Sequence, residues 1–196
     1  MKRRMLLAAV VALAAVGTGF GDPAQVAPSD VPASLAAYAQ SVLLKEAQAP
    51  AIVQYIDAQN AHPARVADLK ALDQRWAAAQ GVEAYMWDLM RNRLAFVLAD
   101  FQYRHKFVME AFAMDAQGAI VAESNRTSTF YKGEAQKFTA AYNGGDGKIW
   151  FGPAAYDDST AETEVQVSVP VTKGRRTIGV ITFGISLDRW EERKPE

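Results

Sequence analysis

Apolar and polar residues alternate without a break from 164 to 171, which is the clearest structural signal in the chain. Every second position is a valine: Val165, Val167, Val169 and Val171. The positions between them hold Glu164, Gln166, Ser168 and Pro170. Because strand side chains point alternately to two faces, the pattern predicts a β-strand with one buried face. A turn around Gly174 and a β-rich run over 177–187 complete a hairpin, and periodicity alone leaves open which face packs on the helices.

The first half of the chain carries apolar residues at helical spacing. We expect Ser34 to cap a helix running to about Ala49, and Pro50 to start or kink the next segment. After a break at 62–63, the apolar residues at helical spacing are Val66, Leu69, Leu72 and Trp76. From Val82 the spacing predicts one amphipathic helix of about five turns. Its apolar face carries Met86, Met90, Leu94, Val97 and Phe101.

Strand patterns return after residue 106. The segments 107–114 and 119–123 are predicted strands on either side of the turn signal at 115–118. The later segments are a helix at 131–142, a tight loop at 143–147 and a strand at 149–151. Runs of helix followed by runs of strand indicate an α+β domain, with N-terminal helices packed on an antiparallel sheet of about five strands.

The N-terminus has the composition of a secretory signal peptide. Three basic residues precede an uncharged apolar run over 5–16, which is short for a membrane-spanning helix. The predicted organisation is a signal peptide over 1–21, a Pro-rich linker over 22–33 and one domain over 34–190. We expect cleavage after Gly21 and a periplasmic location, with an uncleaved membrane anchor as the alternative.

The composition and motifs of the chain exclude several kinds of site and partner. The 196 residues include no cysteine, which excludes disulfides, thiolate metal sites and a lipoprotein anchor. The signal peptide holds three of the 21 basic residues and none of the 22 acidic ones, so the mature chain is acidic and we predict no nucleic-acid partner. His62 and His105 lie far apart, and no nucleophile motif or phosphate-binding loop is found. We therefore predict no catalytic residue, no metal and no cofactor.

Several short motifs follow one another in the second half of the chain. They are MDAQG at 114–118, YD at 156–157, SVPV at 168–171 and IGV at 178–180. In this order they resemble the Cache, or PDC, family of extracytoplasmic PAS-like sensor domains. The stretch AQNAHPARVADLKALDQRW at 58–76 is similar to the helical region of stand-alone periplasmic members. The resemblance covers most of the predicted mature chain.

The resemblance implies a long N-terminal helix along one side of a curved sheet, and a ligand pocket on the other side under the loops between 123 and 160. In amino-acid-binding Cache domains, an arginine with aromatic residues grips the ligand carboxylate, and an aspartate after a tyrosine takes its ammonium group. The candidate ligand-binding residues on this basis are Arg126, Phe130, Tyr131, Trp150, Tyr156, Asp157 and Asp158. The alternative is that Tyr131 and Trp150 are core residues, Arg126 is solvated and the two aspartates form an acidic turn.

The predicted function is that of a periplasmic sensor-type protein, not an enzyme, that binds a small polar or anionic metabolite such as an amino acid or organic acid. The sequence has no output domain after its last strand, so we expect a separate membrane-bound signalling or transport partner. A homodimer is left open. Two alternatives are an interaction protein of a membrane complex with no small ligand, and a small NTF2-like enzyme using Glu110 and Asp115.

Overall fold

The computed structural model of the protein describes residues 31–157 and 162–193. The predicted signal peptide, most of the predicted linker and the candidate residue Asp158 lie outside the described residues. Within the described part of the chain, no helix is both long enough and apolar enough to cross a lipid bilayer.

The described chain begins with helices. They are α1 (Ala33–Tyr38), which continues through a π-helical turn (Ala39–Leu43) into α2 (Leu44–Ala47), then α3 (Pro50–Asn60), α4 (Val66–Ala78), α5 (Ala84–Met90) and α6 (Arg93–Arg104). Pro50 starts α3 as expected, because a proline at the first helical position gives up no helical hydrogen bond. The predicted Ser34 cap is wrong. Pro32 precedes the helix, and the Ser34 hydroxyl accepts a hydrogen bond from Trp190 Nε1 at 3.2 Å.

The segment 82–101 forms two helices instead of the single predicted helix. Between α5 and α6, Asn92 adopts an extended conformation (φ −75°, ψ 170°), and its side chain caps α6 by accepting a hydrogen bond from Ala95 N–H at 2.9 Å. The break allows the two helices to pack differently, since Met86 and Phe101 belong to cores on opposite sides of the sheet. The apolar stripe is continuous in the sequence, although α5 and α6 pack on opposite sides of the sheet.

Six strands form one antiparallel sheet. They are β1 (Val108–Met114), β2 (Ile120–Glu123), β3 (Trp150–Phe151), β4 (Ala155–Asp157), β5 (Glu162–Lys173) and β6 (Arg176–Ser186). The strand order is β2-β1-β6-β5-β3, with β4 also paired to β5, so the predicted hairpin lies at the centre. The described chain also contains two short α-helices, α7 (Gln136–Tyr142) and α8 (Leu187–Glu192), and a 3-10 turn (Asn143–Gly145) that follows α7. The α+β prediction is confirmed, with six strands where about five were expected and α7 shorter than the predicted helix.

The two faces of β5 pack on different groups of helices. Val165, Val167, Val169 and Val171 are fully buried in the core that includes residues of α1, α2, α3 and α6. The second core, which contains Phe112 of β1 and Val180 of β6, lies on the other side with residues of α4, α5 and α7. The Gln166 and Ser168 face therefore lies on the side of α4 and α7, which answers the question that periodicity left open.

Candidate functional site

A cleft of about 710 Å³ opens on the Gln166 side of the sheet. Its floor consists of Glu110 and Phe112 from β1 and Gln166 from β5. The walls and roof include Ala77, Arg126, Thr127, Lys132, Lys137 and Tyr156. We call this site the basic cleft, because three of its lining residues are cationic and one, Glu110, is acidic.

A glycine in the central strand allows two polar side chains to meet across the floor. Glu110 and Gln166 flank Gly184 of β6, each in register with it. A Cβ atom at position 184 would come within 2.6 Å of Glu110 Cγ, so a larger residue would displace the glutamate. With glycine in place, Gln166 Nε2 donates a hydrogen bond to Glu110 Oε1 at 2.9 Å. The floor thus presents an oriented carboxylate–amide pair beside an aromatic ring.

Two lysines hold positive charge over the apolar part of the floor. The Nζ atoms of Lys132 and Lys137 lie 5.8 and 5.6 Å from the centroid of the Phe112 ring. Lys132 is only 6% exposed, and its Nζ donates a hydrogen bond to Thr129 Oγ1. Burial lowers the pKa of Lys132 to about 8, helped by the charge of Lys137, and burial also lowers the pKa of Lys137. A bound anion stabilises ammonium groups that burial has partly desolvated in this way.

A buried carboxyl group, that of Glu123, lies behind the cleft wall at the end of β2. Glu123 is fully buried, and its Oε2 accepts hydrogen bonds from the N–H of Thr127 at 3.1 Å and from the Thr127 hydroxyl at 2.9 Å. Burial raises the pKa of Glu123 to about 7, against the opposing effect of those hydrogen bonds and of the Lys132 charge. The charge beside the cleft therefore changes near neutral pH.

The segment between β2 and α7, residues 124–135, forms the roof and is fastened to α4. Trp76 Nε1 donates a hydrogen bond to the carbonyl of Thr127 at 2.7 Å. Arg126 Nη2 donates to the carbonyls of Trp76 and Ala79 at 2.9 and 3.1 Å, so it binds the C-terminal end of α4. Asp73 Oδ1 accepts hydrogen bonds from the backbone N–H groups of Phe130 and Tyr131. These contacts attach the roof to α4.

Asp73 offers a direct test of this attachment. Its Oδ1 accepts from the N–H of Phe130 at 2.6 Å and of Tyr131 at 2.9 Å. Asp73→Ala leaves both amides without a partner, and we expect it to lower the free energy of unfolding by about 2 kcal/mol in urea denaturation. Asp73→Asn keeps an acceptor oxygen and should lose less than half of that. Equal losses in the two variants would show that the side-chain oxygen does not fasten the roof.

The structure places the candidate residues in three groups. Arg126 and Tyr156 line the basic cleft. Trp150 lines a separate hollow of about 280 Å³ together with Tyr156 and Gln166, and it also packs against the second core. Phe130 and Tyr131 belong to the second core, with Phe130 buried and Tyr131 partly buried. Asp157 ends β4, next to Tyr156, and Asp158 lies outside the described residues. The ligand-binding role of all seven residues stays a prediction.

Lys132 and Lys137 are the cleft residues that the sequence did not reveal. They lie in and just after the roof segment, and no motif marks them. The floor residues could be inferred from the strand register, because Glu110 and Gln166 fall on the same face of the sheet once β1, β6 and β5 are aligned.

Among the described residues, no group of three or more histidine, aspartate or glutamate side chains could hold a metal ion.

No family model and no curated protein matches the sequence. Similar solved structures include the sensor domain of the V. cholerae histidine kinase DctB, at 15% identity and a TM-score of 0.49, covering 82% of this chain and 52% of the other. The ligand-binding domain of the Campylobacter jejuni chemoreceptor Tlp3, in complex with 4-methylisoleucine, has 12% identity, a TM-score of 0.40 and coverage of 80% and 65%. The ligand-binding domain of the Pseudomonas aeruginosa amino acid chemoreceptor PctC, in complex with GABA, has 13% identity, a TM-score of 0.37 and coverage of 78% and 62%. This chain spans between half and two thirds of the length of these domains.

Proposed function

We propose that the protein is an exported, sensor-type binding protein whose basic cleft holds a small metabolite with a carboxylate group. The observation that carries the proposal is the placement of Arg126, Lys132 and Lys137 around the Phe112 ring and the Glu110–Gln166 pair. The cleft volume of about 710 Å³ falls within the range of small-molecule sites, about 300–1,000 Å³. The signal-peptide pattern and the Cache-like motifs of the sequence support the same proposal.

Each part of the basic cleft has a chemical role in this proposal. The Nζ atoms of Lys132 and Lys137 donate to the carboxylate, since hydrogen bonds between ionised partners are about twice as strong as neutral ones. The Phe112 ring packs on the carbon skeleton, and Glu110 accepts a hydrogen bond from an ammonium or hydroxyl group of the ligand. Arg126 contributes charge from the roof, because its Nη2 already binds the end of α4. An amino acid or a small organic acid meets these requirements.

A ligand held in this way connects the roof to the sheet. Lys132 lies in the roof segment and Lys137 at the start of α7, whereas Glu110 and Gln166 belong to the floor. Binding therefore fixes α7 relative to β1 and β5. A separate membrane-bound signalling or transport partner that recognises the fixed arrangement would act on the ligand-bound form only.

The arrangement favours binding over the acid–base chemistry of the enzyme alternative. That alternative requires Asp115 and Glu110 in one pocket. The Oδ1 of Asp115 instead accepts hydrogen bonds from the N–H groups of Gln117 at 2.8 Å and Ala119 at 3.0 Å, within the β1–β2 turn. Asp115 does not line the basic cleft, so it does not form an acid–base pair with Glu110 there.

A thermal-shift screen of amino acids, organic acids and purines against the mature protein tests the proposal. We expect a carboxylate-bearing compound to stabilise the protein, by about 2.7 kcal/mol at a concentration of about 100 times its dissociation constant. Lys137→Gln should remove this stabilisation. Lys148→Gln is the control, because Lys148 is exposed and lies outside the basic cleft, and this variant should retain the stabilisation. No stabilisation by any compound would favour the interaction-protein alternative.

The affinity for the carboxylate should decrease as the pH rises. Lys132, with a pKa of about 8, loses its positive charge above that value, and Glu123, with a pKa of about 7, gains a negative charge in the same region. We expect the dissociation constant to increase about tenfold between about pH 6.5 and about pH 9, measured by calorimetry at constant ionic strength. Glu123→Gln should flatten only the part of the profile below pH 8. An affinity that is independent of pH would contradict the role of Lys132.

A further inference from the structure

The hollow of about 280 Å³ adjoins the basic cleft on the same side of the sheet, and the two share Tyr156 and Gln166 as lining residues. We call it the acidic hollow, because Glu164 lines it and none of its described lining residues is cationic. Its remaining walls are formed by Trp150, Gly152, Pro153 and Ala155. A volume just below the usual range of small-molecule sites fits a subsite for one functional group of a larger ligand.

The carboxylates of Glu110 and Glu164 converge above Gly184 on the central strand β6. Glu110 of β1 is in register with Gly184, and Glu164 lies on the same face of β5 as Gln166, which is also in register with Gly184. Glu164 Oε2 and Glu110 Oε1 lie 2.9 and 3.3 Å from the point that a Cβ atom at position 184 would occupy. Glu164 is 7% exposed and lines the acidic hollow but not the basic cleft. The absence of a side chain at Gly184 therefore allows negative charge to collect at the boundary between the two cavities.

Two aromatic rings border this negative charge. Trp150 is partly exposed and Tyr156 is 64% exposed, and both line the acidic hollow. Gly152 allows the indole ring to lie close to the backbone between β3 and β4, since a Cβ atom on Gly152 would come within 3.1 Å of the indole Cη2. Organic cations bind to the faces of aromatic rings and donate hydrogen bonds to carboxylates. The acidic hollow thus has the chemistry of a site for an ammonium group.

The geometry of the sheet sets the distance between the acidic hollow and the lysines of the basic cleft. Lys132 and Lys137 lie over the Phe112 ring. Phe112 is in register with Thr182 of β6, which is two residues from Gly184. Two residues along a strand and one strand across correspond to about 8 Å. An α-amino acid cannot place its ammonium and carboxylate groups so far apart, whereas a chain of about five methylene groups can, at about 1.5 Å per carbon–carbon bond.

We propose that the acidic hollow is an ammonium subsite and that the protein binds an ω-amino acid, with its two charged groups at opposite ends of an unbranched chain. This inference rests on the proposed function, since the carboxylate end binds Lys132 and Lys137. The ammonium end donates hydrogen bonds to Glu164 and Glu110 and lies beside the Trp150 ring. Organic acids and α-amino acids would occupy only one end of this extended site.

Calorimetric titration with 6-aminohexanoate, 2-aminohexanoate and hexanoate at neutral pH tests the ammonium subsite. The first two compounds are isomers that differ only in the position of the ammonium group, and hexanoate lacks that group. We expect 6-aminohexanoate to bind at least tenfold more tightly than either of the other two. The comparison uses the unchanged protein, so it does not depend on the folding of a variant.

Glu164→Gln tests which residue holds the ammonium group. This variant should reduce the affinity for 6-aminohexanoate at least tenfold and leave the affinity for hexanoate unchanged. Lys137→Gln should weaken the binding of both compounds, because both place a carboxylate in the basic cleft. Glu134→Gln is the matched control, since Glu134 is exposed and lines neither cavity, and it should change neither affinity.

The possible outcomes separate the two proposals. Equal affinities for 6-aminohexanoate and hexanoate, both lost in Lys137→Gln, would overturn the ammonium subsite and support the carboxylate site of the basic cleft. Tighter binding of 2-aminohexanoate than of 6-aminohexanoate, or undiminished binding of 6-aminohexanoate by Glu164→Gln, would also overturn the subsite. If none of the three compounds bound, the ammonium subsite would be wrong, and the screen of other carboxylates would decide the proposed function by itself.

Discussion

Lys132→Met should make the unliganded protein more stable at pH 7, by about 3 kcal/mol, and abolish its stabilisation by carboxylates. Burial lowers the pKa of Lys132 from 10.5 to about 8, and each unit corresponds to about 1.4 kcal/mol, so keeping this lysine charged in the fold has a substantial cost. Methionine has a similar length without the charge. Urea denaturation of the two proteins, with and without the carboxylate found in the screen, measures both effects.

The pH dependence of stability distinguishes the charge of Lys132 from other effects of its replacement. The unfolded chain retains the proton on Lys132 up to about pH 10.5, whereas the folded protein releases it near pH 8. The folded state therefore binds fewer protons between these values, and its stability should rise with pH across this window. Lys132→Met should lose that rise. The exposed Lys148→Met serves as the control, and an unliganded stability equal to or below that of the parent protein in Lys132→Met would contradict the account.

Val167→Asp should unfold most of the protein, with a loss of about 5 kcal/mol. Val167 is fully buried and lies opposite Phe151 on β3 and Phe183 on β6, in the core beneath the N-terminal helices. An unpaired carboxylate at this position has no polar partner, and such burial ranks among the most destabilising single changes. Circular dichroism during heating and urea titration gives the loss directly.

Val167→Ala separates the charge from the loss of packing. Alanine removes two methyl groups and should cost about 2 kcal/mol, since the remaining cavity cannot collapse fully in the middle of a sheet. The aspartate variant should therefore be much less stable than the alanine variant. Similar stabilities for the two would mean that position 167 is accessible to water and that the assignment of the two sheet faces is wrong.

The central hairpin and the order of helices and strands were predictable because their signals are local. The valine alternation defines β5, and Pro50 starts α3 where expected. The break between α5 and α6 was missed because the apolar stripe continues through it, and only the cap formed by Asn92 reveals it. The side of the sheet on which each stripe packs depends on tertiary contacts, so periodicity could not supply it.

The basic cleft was only partly predictable for the same reason. The resemblance identified Arg126 and Tyr156, which line the cleft. Lys132 reaches it because the roof segment is fastened to α4 by Trp76 and Asp73, residues more than fifty positions earlier in the chain. The pairing of Glu110 with Gln166 likewise depends on Gly184 in the strand between them. These long-range conditions leave no motif in a single sequence.

A crystal structure of the mature protein with the best carboxylate from the screen tests the central claim most directly. The account predicts ligand density in the basic cleft, with the carboxylate within hydrogen-bonding distance of Lys132 Nζ and Lys137 Nζ and the carbon skeleton against Phe112. Density for that carboxylate at any other place on the protein, with the basic cleft filled by water alone, would contradict it.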